Sequence, residues 1–122
     1  MALLYSVIWL NFTVRFTGAQ EHELVVTDTT SLNIFKALAV AVKIQSVAHP
    51  TRRVIISERD SFPTDLYMIQ GLMDLLQQGY ELRLFDENLS LEDALTDDVA
   101  VVLLSHVNYR TGYLWPMQDT TA

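Results

Sequence analysis

Apolar and polar positions along this chain alternate between two periods, and the switches mark out its elements. Residues 99–104, Val-Ala-Val-Val-Leu-Leu, are six apolar positions without alternation. Such a run predicts a strand buried on both faces, as in parallel α/β sheets. Residues 22–27, 53–57 and 80–85 predict three further strands upstream of it. Between them the period lengthens to that of a helix. Over residues 31–48, Ile34, Phe35, Leu38, Ala41 and Val42 supply an apolar side and Asn33, Lys36 and Lys43 a polar one, with Pro50 closing the region. Pro63 suits the first turn of a second helix, whose stripe is Leu66, Ile69, Met73 and Leu76, with Gly79 as the residue just past its end. Ser90 and Asp93 are spaced as a capping-box variant at the start of a short acidic helix. Strands alternating with helices predict βαβ units and a mainly parallel, three-layer α/β sheet.

The amino terminus breaks this rhythm. Residues 2–10 have the apolar character of a short signal-peptide core. They lack a basic leader and a clean small-x-small cleavage site, and they are too short to span a bilayer. Asn11, Thr13, Arg15 and Thr17 then alternate with Phe12, Val14 and Phe16, which is strand periodicity. Residues 1–17 therefore read as a β-strand or an extraneous segment rather than a signal peptide.

Composition narrows the classes. The 122 residues suffice for one domain, and half are apolar, which excludes a disordered chain. A net charge of −7, with Lys36 and Lys43 the only lysines, argues against nucleic acid or an anionic membrane as partner. There is no cysteine, so disulfides, thiolate chemistry and Cys-based metal sites are excluded. That usage fits a cytoplasmic protein. His22 and His49 lack the spacing of metal ligands, and no metal site is expected.

Candidate chemistry lies in three segments that follow strands, because ligands of open α/β sheets sit beyond the carboxyl ends of the strands. The first, Asp28-Thr29-Thr30-Ser31, places three hydroxyls at a helix start, where free amides and the helix dipole attract a phosphate. The same residues also read as an ordinary N-cap, and Asp28 opposes an anion unless it points away. In the second, Phe62-Pro63-Thr64-Asp65, Phe62 can stack on a flat ring and Asp65 can accept a hydrogen bond from it. Alternatively Phe62 is a hydrophobic cap and Asp65 complements the helix dipole. The third, Ser105-His106-Val107-Asn108-Tyr109-Arg110-Thr111-Gly112, is too polar for a plain turn. Within it His106 reads as a hydrogen-bonded structural histidine rather than a base. Trp9, Tyr67, Tyr80 and Trp115 read as packing residues.

Taken together, these segments resemble kynureninase, a pyridoxal-phosphate enzyme of the aspartate-aminotransferase fold. The resemblance rests on residues 26–36, on the Asp60-Ser61-Phe62-Pro63-Thr64-Asp65-Leu66-Tyr67 core of residues 54–72, and on residues 99–112. It covers residues 18–118 as part of a fold-type-I cofactor-binding large domain, and leaves residues 1–17 and 119–122 unmatched. It implies pyridoxal 5'-phosphate as cofactor, with Thr30 and Ser31 holding its phosphate. It implies further that Phe62, in the segment with Pro63 and Thr64, stacks on the pyridine ring, that Asp65 bonds near the ring's edge, and that Ser105 is another contact. The implied reaction is hydrolytic cleavage of L-kynurenine, or 3-hydroxykynurenine, to anthranilate, or 3-hydroxyanthranilate, and L-alanine. That reaction belongs to tryptophan catabolism and NAD biosynthesis. A cytoplasmic homodimer with a small-molecule substrate is implied as well.

The family's later Asp-Leu-Ala-His motif and Schiff-base lysine have no counterpart here, since Lys36 and Lys43 both lie in the first helix. The expectation is a fragment that retains part of the cofactor site and is inactive alone. In the family's sheet order the second and third strands are neighbours, while the first and fourth lose the strands that flank them. Exposed apolar edges would then favour aggregation. Two alternatives are another fold-type-I enzyme, of class V aminotransferase or cysteine desulfurase type, and a small non-catalytic α/β binding module.

Overall fold

The structure, a computed structural model, describes residues 13–14 and 17–120. Its order is a 3-10 turn (Glu21–Glu23), α1 (Thr30–Ala48), β1 (Val54–Glu58), α2 (Pro63–Leu76), β2 (Glu81–Phe85), α3 (Leu91–Ala94), β3 (Val99–Leu103) and α4 (Met117–Thr120). The three strands form one parallel sheet in the order β2-β1-β3. This is the α/β architecture expected, and the second and third predicted strands are indeed neighbours.

β1 is central and is buried along most of its length because both its faces are covered. Ile55 faces Leu38 and Val42 of α1 and Ile69 and Leu72 of α2. Val54 and Ile56 point the other way, onto Phe85, Leu91 and Ala94. The period of two along one strand thus creates the two cores and the three layers. By length and composition α1 is apolar enough to cross a membrane. Here it packs across β3 and α2 and contributes Leu38 and Val42 to a core.

Several expectations are corrected. Residues 22–27 do not form a strand: Glu21–Glu23 is a 3-10 turn, and the segment after it pairs with no strand among the described residues. Val25 is 81 % exposed, so its β-branched side chain has no sheet surface to pack on. Most of the predicted strand over residues 1–17 lies outside the described residues. Those described within it, Thr13, Val14 and Thr17, are helical, with the Thr17 hydroxyl donating to the Thr13 carbonyl at 3.0 Å. The left-handed residue that ends α2 is Gln77, at φ 50°, two positions before Gly79.

β3 is not buried on both faces. Among the described residues it has one neighbour, β1, and forms an edge of the sheet. Val54 opposes Val99 and Ile55 opposes Val101, so Ala100 is an extra residue that bulges the strand. Val101 and Leu103 pack toward α1, whereas Val102 is 39 % exposed. The cause is the shortness of α3, whose four residues cover β2 but do not reach across to the outer half of β3.

Candidate functional site at the carboxyl end of the sheet

The chain leaves β1 through a tight turn that is closed internally. Ser57 and Ser61, both buried, share a hydrogen bond of 3.2 Å between hydroxyls, and the Ser61 amide donates to the Glu58 carbonyl. Phe62 follows as the N-cap of α2. The proline after it excludes the helical region, so Phe62 is held extended at φ −57°, ψ 131°. Pro63 then opens the helix, where its missing amide costs nothing. The Phe62 ring, 48 % exposed, stands at the rim of the turn.

Asp65 lies in the first turn of α2 and is only 8 % exposed. Among the described residues no donor bonds its carboxylate. Burial therefore dominates and raises its pKa above the ordinary 3.8, although the helix N-terminus nearby favours the anion. No donor among the described residues bonds this largely enclosed carboxylate, so it marks a place where a donor from outside would fit.

The first turn of α1 faces that of α2. The Ser31 hydroxyl donates to the Thr64 hydroxyl at 3.3 Å, so two helix N-termini with their free amides and hydroxyls converge. The ordinary N-cap reading holds at Thr29, whose hydroxyl accepts from the Leu32 amide at 3.3 Å. Thr30 and Ser31 are left free of that duty. Asp28 points along the helix instead of across its end: Lys36 Nζ lies 3.1 Å from Oδ2, the Thr27 hydroxyl donates to Oδ1, and both hold its carboxyl below the usual range.

The loop after β3 is built by Asn108, which is 3 % exposed. Its Oδ1 accepts from the amides of Arg110, at 2.9 Å, and Thr111, at 3.1 Å, an Asx turn. The Gly112 amide donates to the Asn108 carbonyl, and Gly112 takes φ 71°, a conformation other residues reach only under strain. Val107 bridges Leu114, and the Trp115 amide donates to the His106 carbonyl. The loop is thus a pinned hairpin that carries Tyr109 and Arg110 on its outside. The expectation of a hydrogen-bonded His106 ring is not met among the described residues; only its main chain is engaged.

Tyr109 and Arg110 tie this loop to the first turn of α2. The Phe62 and Tyr109 rings meet edge-on, centroids 5.0 Å apart at 70°. Arg110 donates to Asp60 at 2.8 Å. Neither contact was anticipated from sequence, although opposite charges in two adjacent loops were the signal available. Of the expected residues, Ser31 and Thr64 touch directly, Thr30 adjoins Ser31, and Phe62, Pro63 and Asp65 share the same helical turn. Ser105 lies two positions past Leu103, the partner of Ser57, and so shares the end of the sheet; its hydroxyl makes no bond to the described residues.

Two clefts open here. One of about 220 Å³ lies between the loops and is lined by Asp60, Pro63, Tyr67, Tyr109 and Arg110 among others. Tyr67 is therefore a cleft-lining, exposed residue and not the packing residue expected. A larger one of about 800 Å³ lies beyond β1 and β2, lined by Glu58, Asp60, Asp86, Glu87 and Glu92 with Arg59 as its only basic group. Its carboxylates repel a phosphate, and none of the expected residues lines it. Trp115 walls it off, with its ring edge-on to Phe85 and to Tyr113. Among the described residues no three His, Asp or Glu side chains gather as metal ligands.

No protein-family model matches the chain. Curated relatives do. The chain is 55 % identical over 105 residues to the kynureninase of Pseudomonas fluorescens, a match that covers 86 % of this chain and 25 % of that protein. It is 52 % identical over 104 residues to the kynureninase of Burkholderia mallei strain SAVP1, and 51 % identical over 104 residues to that of Burkholderia pseudomallei strain K96243. Each of these matches covers 85 % of this chain and 25 % of the relative. The resemblance drawn from the motifs is borne out, and the chain spans about a quarter of the length of the curated relatives it matches.

Proposed function

We propose that this chain supplies part of the cofactor-binding domain of a kynureninase-like hydrolase, which cleaves L-kynurenine or 3-hydroxykynurenine to anthranilate or 3-hydroxyanthranilate and L-alanine. The observation that carries the reading is 51–55 % identity to kynureninases over most of the chain. The cofactor of this reading is pyridoxal 5'-phosphate, which when bound supplies the electron sink for carbon–carbon cleavage.

The residues present fit that group. Thr30, Ser31 and Thr64 offer hydroxyls beside two converging helix N-termini, an anion-binding chemistry. Phe62 offers a half-exposed ring to a planar heterocycle. Asp65 offers a buried acceptor that lacks a donor. Ser105 adds a hydroxyl at the end of β3, and Pro63 holds Phe62 extended. Their shared work is to bind the phosphate and orient the ring. The same reading carries a cytoplasmic homodimer that acts in tryptophan catabolism and toward NAD biosynthesis.

The lysine that would anchor the cofactor is not among these residues: Lys36 is paired with Asp28 and Lys43 is exposed on α1. The 122-residue chain alone is therefore expected to release no anthranilate from L-kynurenine above a heat-killed control. The direct test exchanges the matching quarter of the Pseudomonas fluorescens kynureninase for this chain. A soluble chimera that releases anthranilate, and loses that activity on Asp65→Ala, is the result expected. A soluble, folded chimera without activity contradicts the reading and leaves a non-catalytic binding module as the better account.

A further inference from the structure

The contact between Phe62 and Tyr109 has no part in the reading above, which asks of Phe62 only that its ring meet a flat heterocycle. Backbone geometry fixes where Phe62 starts but not where its ring points. The extended N-cap conformation and Pro63 set the direction of Cβ, while rotation about the two side-chain torsions stays open. The ring is 48 % exposed, so the core does not hold it. What limits it is Tyr109, edge-on at 5.0 Å and 70°.

Tyr109 is itself well placed to do this. It is the first residue after Asn108, whose buried amide oxygen pins the loop through two main-chain bonds. The next residue, Arg110, donates to Asp60 at 2.8 Å, two positions before Phe62. The hairpin is thus fastened to the α2 turn on one side and to β3 on the other, and its aromatic ring is delivered against one side of Phe62. We infer that Tyr109 is a positioning residue that sets the plane of the Phe62 ring, leaving its other side free for a flat heteroaromatic phosphate. The Asp60–Arg110 pair is the latch that holds it there. This rests on the proposed role of Phe62, and the test separates the two.

The probe is pyridoxine 5'-phosphate, which has the ring and the phosphate but no aldehyde, so Lys36 and Lys43 cannot capture it covalently. Inorganic phosphate is the control that lacks the ring. Ligand-observed NMR on the whole chain measures both affinities for wild type, Tyr109→Ala, Tyr109→Phe, Phe62→Ala and the double variant Phe62→Ala/Tyr109→Ala. Wild type is expected to prefer the ring-bearing probe. Tyr109→Ala is expected to weaken that probe about three- to tenfold, the range of one edge-on aromatic contact, and to leave inorganic phosphate unchanged. Tyr109→Phe restores wild-type affinity, since the ring and not the hydroxyl makes the contact. The double variant binds as Phe62→Ala does, because Tyr109 acts only through Phe62.

An unchanged affinity in Tyr109→Ala, or additive losses in the double variant, overturns the inference while the role of Phe62 stands. Equal loss of both probes in Tyr109→Ala overturns it too, because the loop would then support the phosphate end. Equal wild-type affinity for the two probes shows that Phe62 meets no ring, and overturns both the proposed role and this inference.

Discussion

The two ends of the sheet treat their polar groups in opposite ways. Near the amino end, Arg83 reaches from β2 to Asp98, which precedes β3, with contacts of 2.9 and 3.2 Å to its two oxygens. Arg83 also donates to the Thr96 hydroxyl and the Ala94 carbonyl, and Thr96 bonds Asp98. Arg53 donates to the Tyr80 hydroxyl and lies over its ring. Arg83 foremost, with Thr96, holds the Asp98 carboxyl at about 2. At the carboxyl end Asp65 starts from the same ordinary value and moves the other way, because burial dominates and no side-chain donor among the described residues opposes it. Near the amino end Arg53, Tyr80, Arg83, Thr96 and Asp98 thus satisfy one another. The carboxyl end leaves the Asp65 acceptor without a protein donor and Phe62 half-exposed, although ion pairs such as Arg59–Asp86 are made beside it, and the proposed ligand site rests on that difference.

Aromatic truncation separates the ends most strongly. Tyr80 is 7 % exposed and sits in the main core, so Tyr80→Ala is expected to cost about 3 kcal/mol in urea unfolding. Phe62→Ala is expected to cost about 0.5 kcal/mol, as for an exposed surface position. Equal costs would break the comparison. Asp65→Asn tests the open acceptor. Since the folded value is raised, protonation favours the folded state. The cost of the charge is absent below 3.8 and complete once pH passes the folded value. Asp65→Asn is therefore expected to stabilise the chain at pH 7, and the gain should vanish at pH 3. Asp98 has the reverse sign: its lowered value adds stability that is present above 3.8 and lost as pH falls toward about 2. Acid unfolding over that window should flatten in Asp98→Asn and in Arg83→Ala. An unchanged acid limb would show that the amino end is not closed by this pair.

Much of this was legible in the residues because the signals are local. The apolar stripes of α1 and α2, Pro63 at a helix start and the Ser90–Asp93 cap all depend on neighbours a few positions away, and they hold. What failed depends on partners far along the chain. Residues 22–27 have strand composition, but a strand exists only where another strand lies beside it. The apolar run of β3 reads as buried, yet Val102 is open because α3 is one turn long and sits over β2. The site divides in the same way. Hydroxyls at helix starts and an aromatic before proline could be read from spacing. The Phe62–Tyr109 and Asp60–Arg110 contacts could not, since each pair is brought together by the parallel β1–β3 pairing. The Asn-Tyr-Arg-Thr-Gly stretch also looked like a ligand-binding motif, whereas Asn108 and Gly112 are spent on shaping the loop.

The most direct measurement is the titration of the Asp65 carboxyl carbon by NMR in the free chain and with pyridoxine 5'-phosphate added. The account predicts a pKa above 3.8 in the free chain, because burial dominates. It also predicts a fall when the probe binds, because a donor then favours the charged form. A free-chain value at or below 3.8, or one that does not respond to saturating probe, would contradict the claim that this end of the sheet holds an acceptor kept open for a ligand.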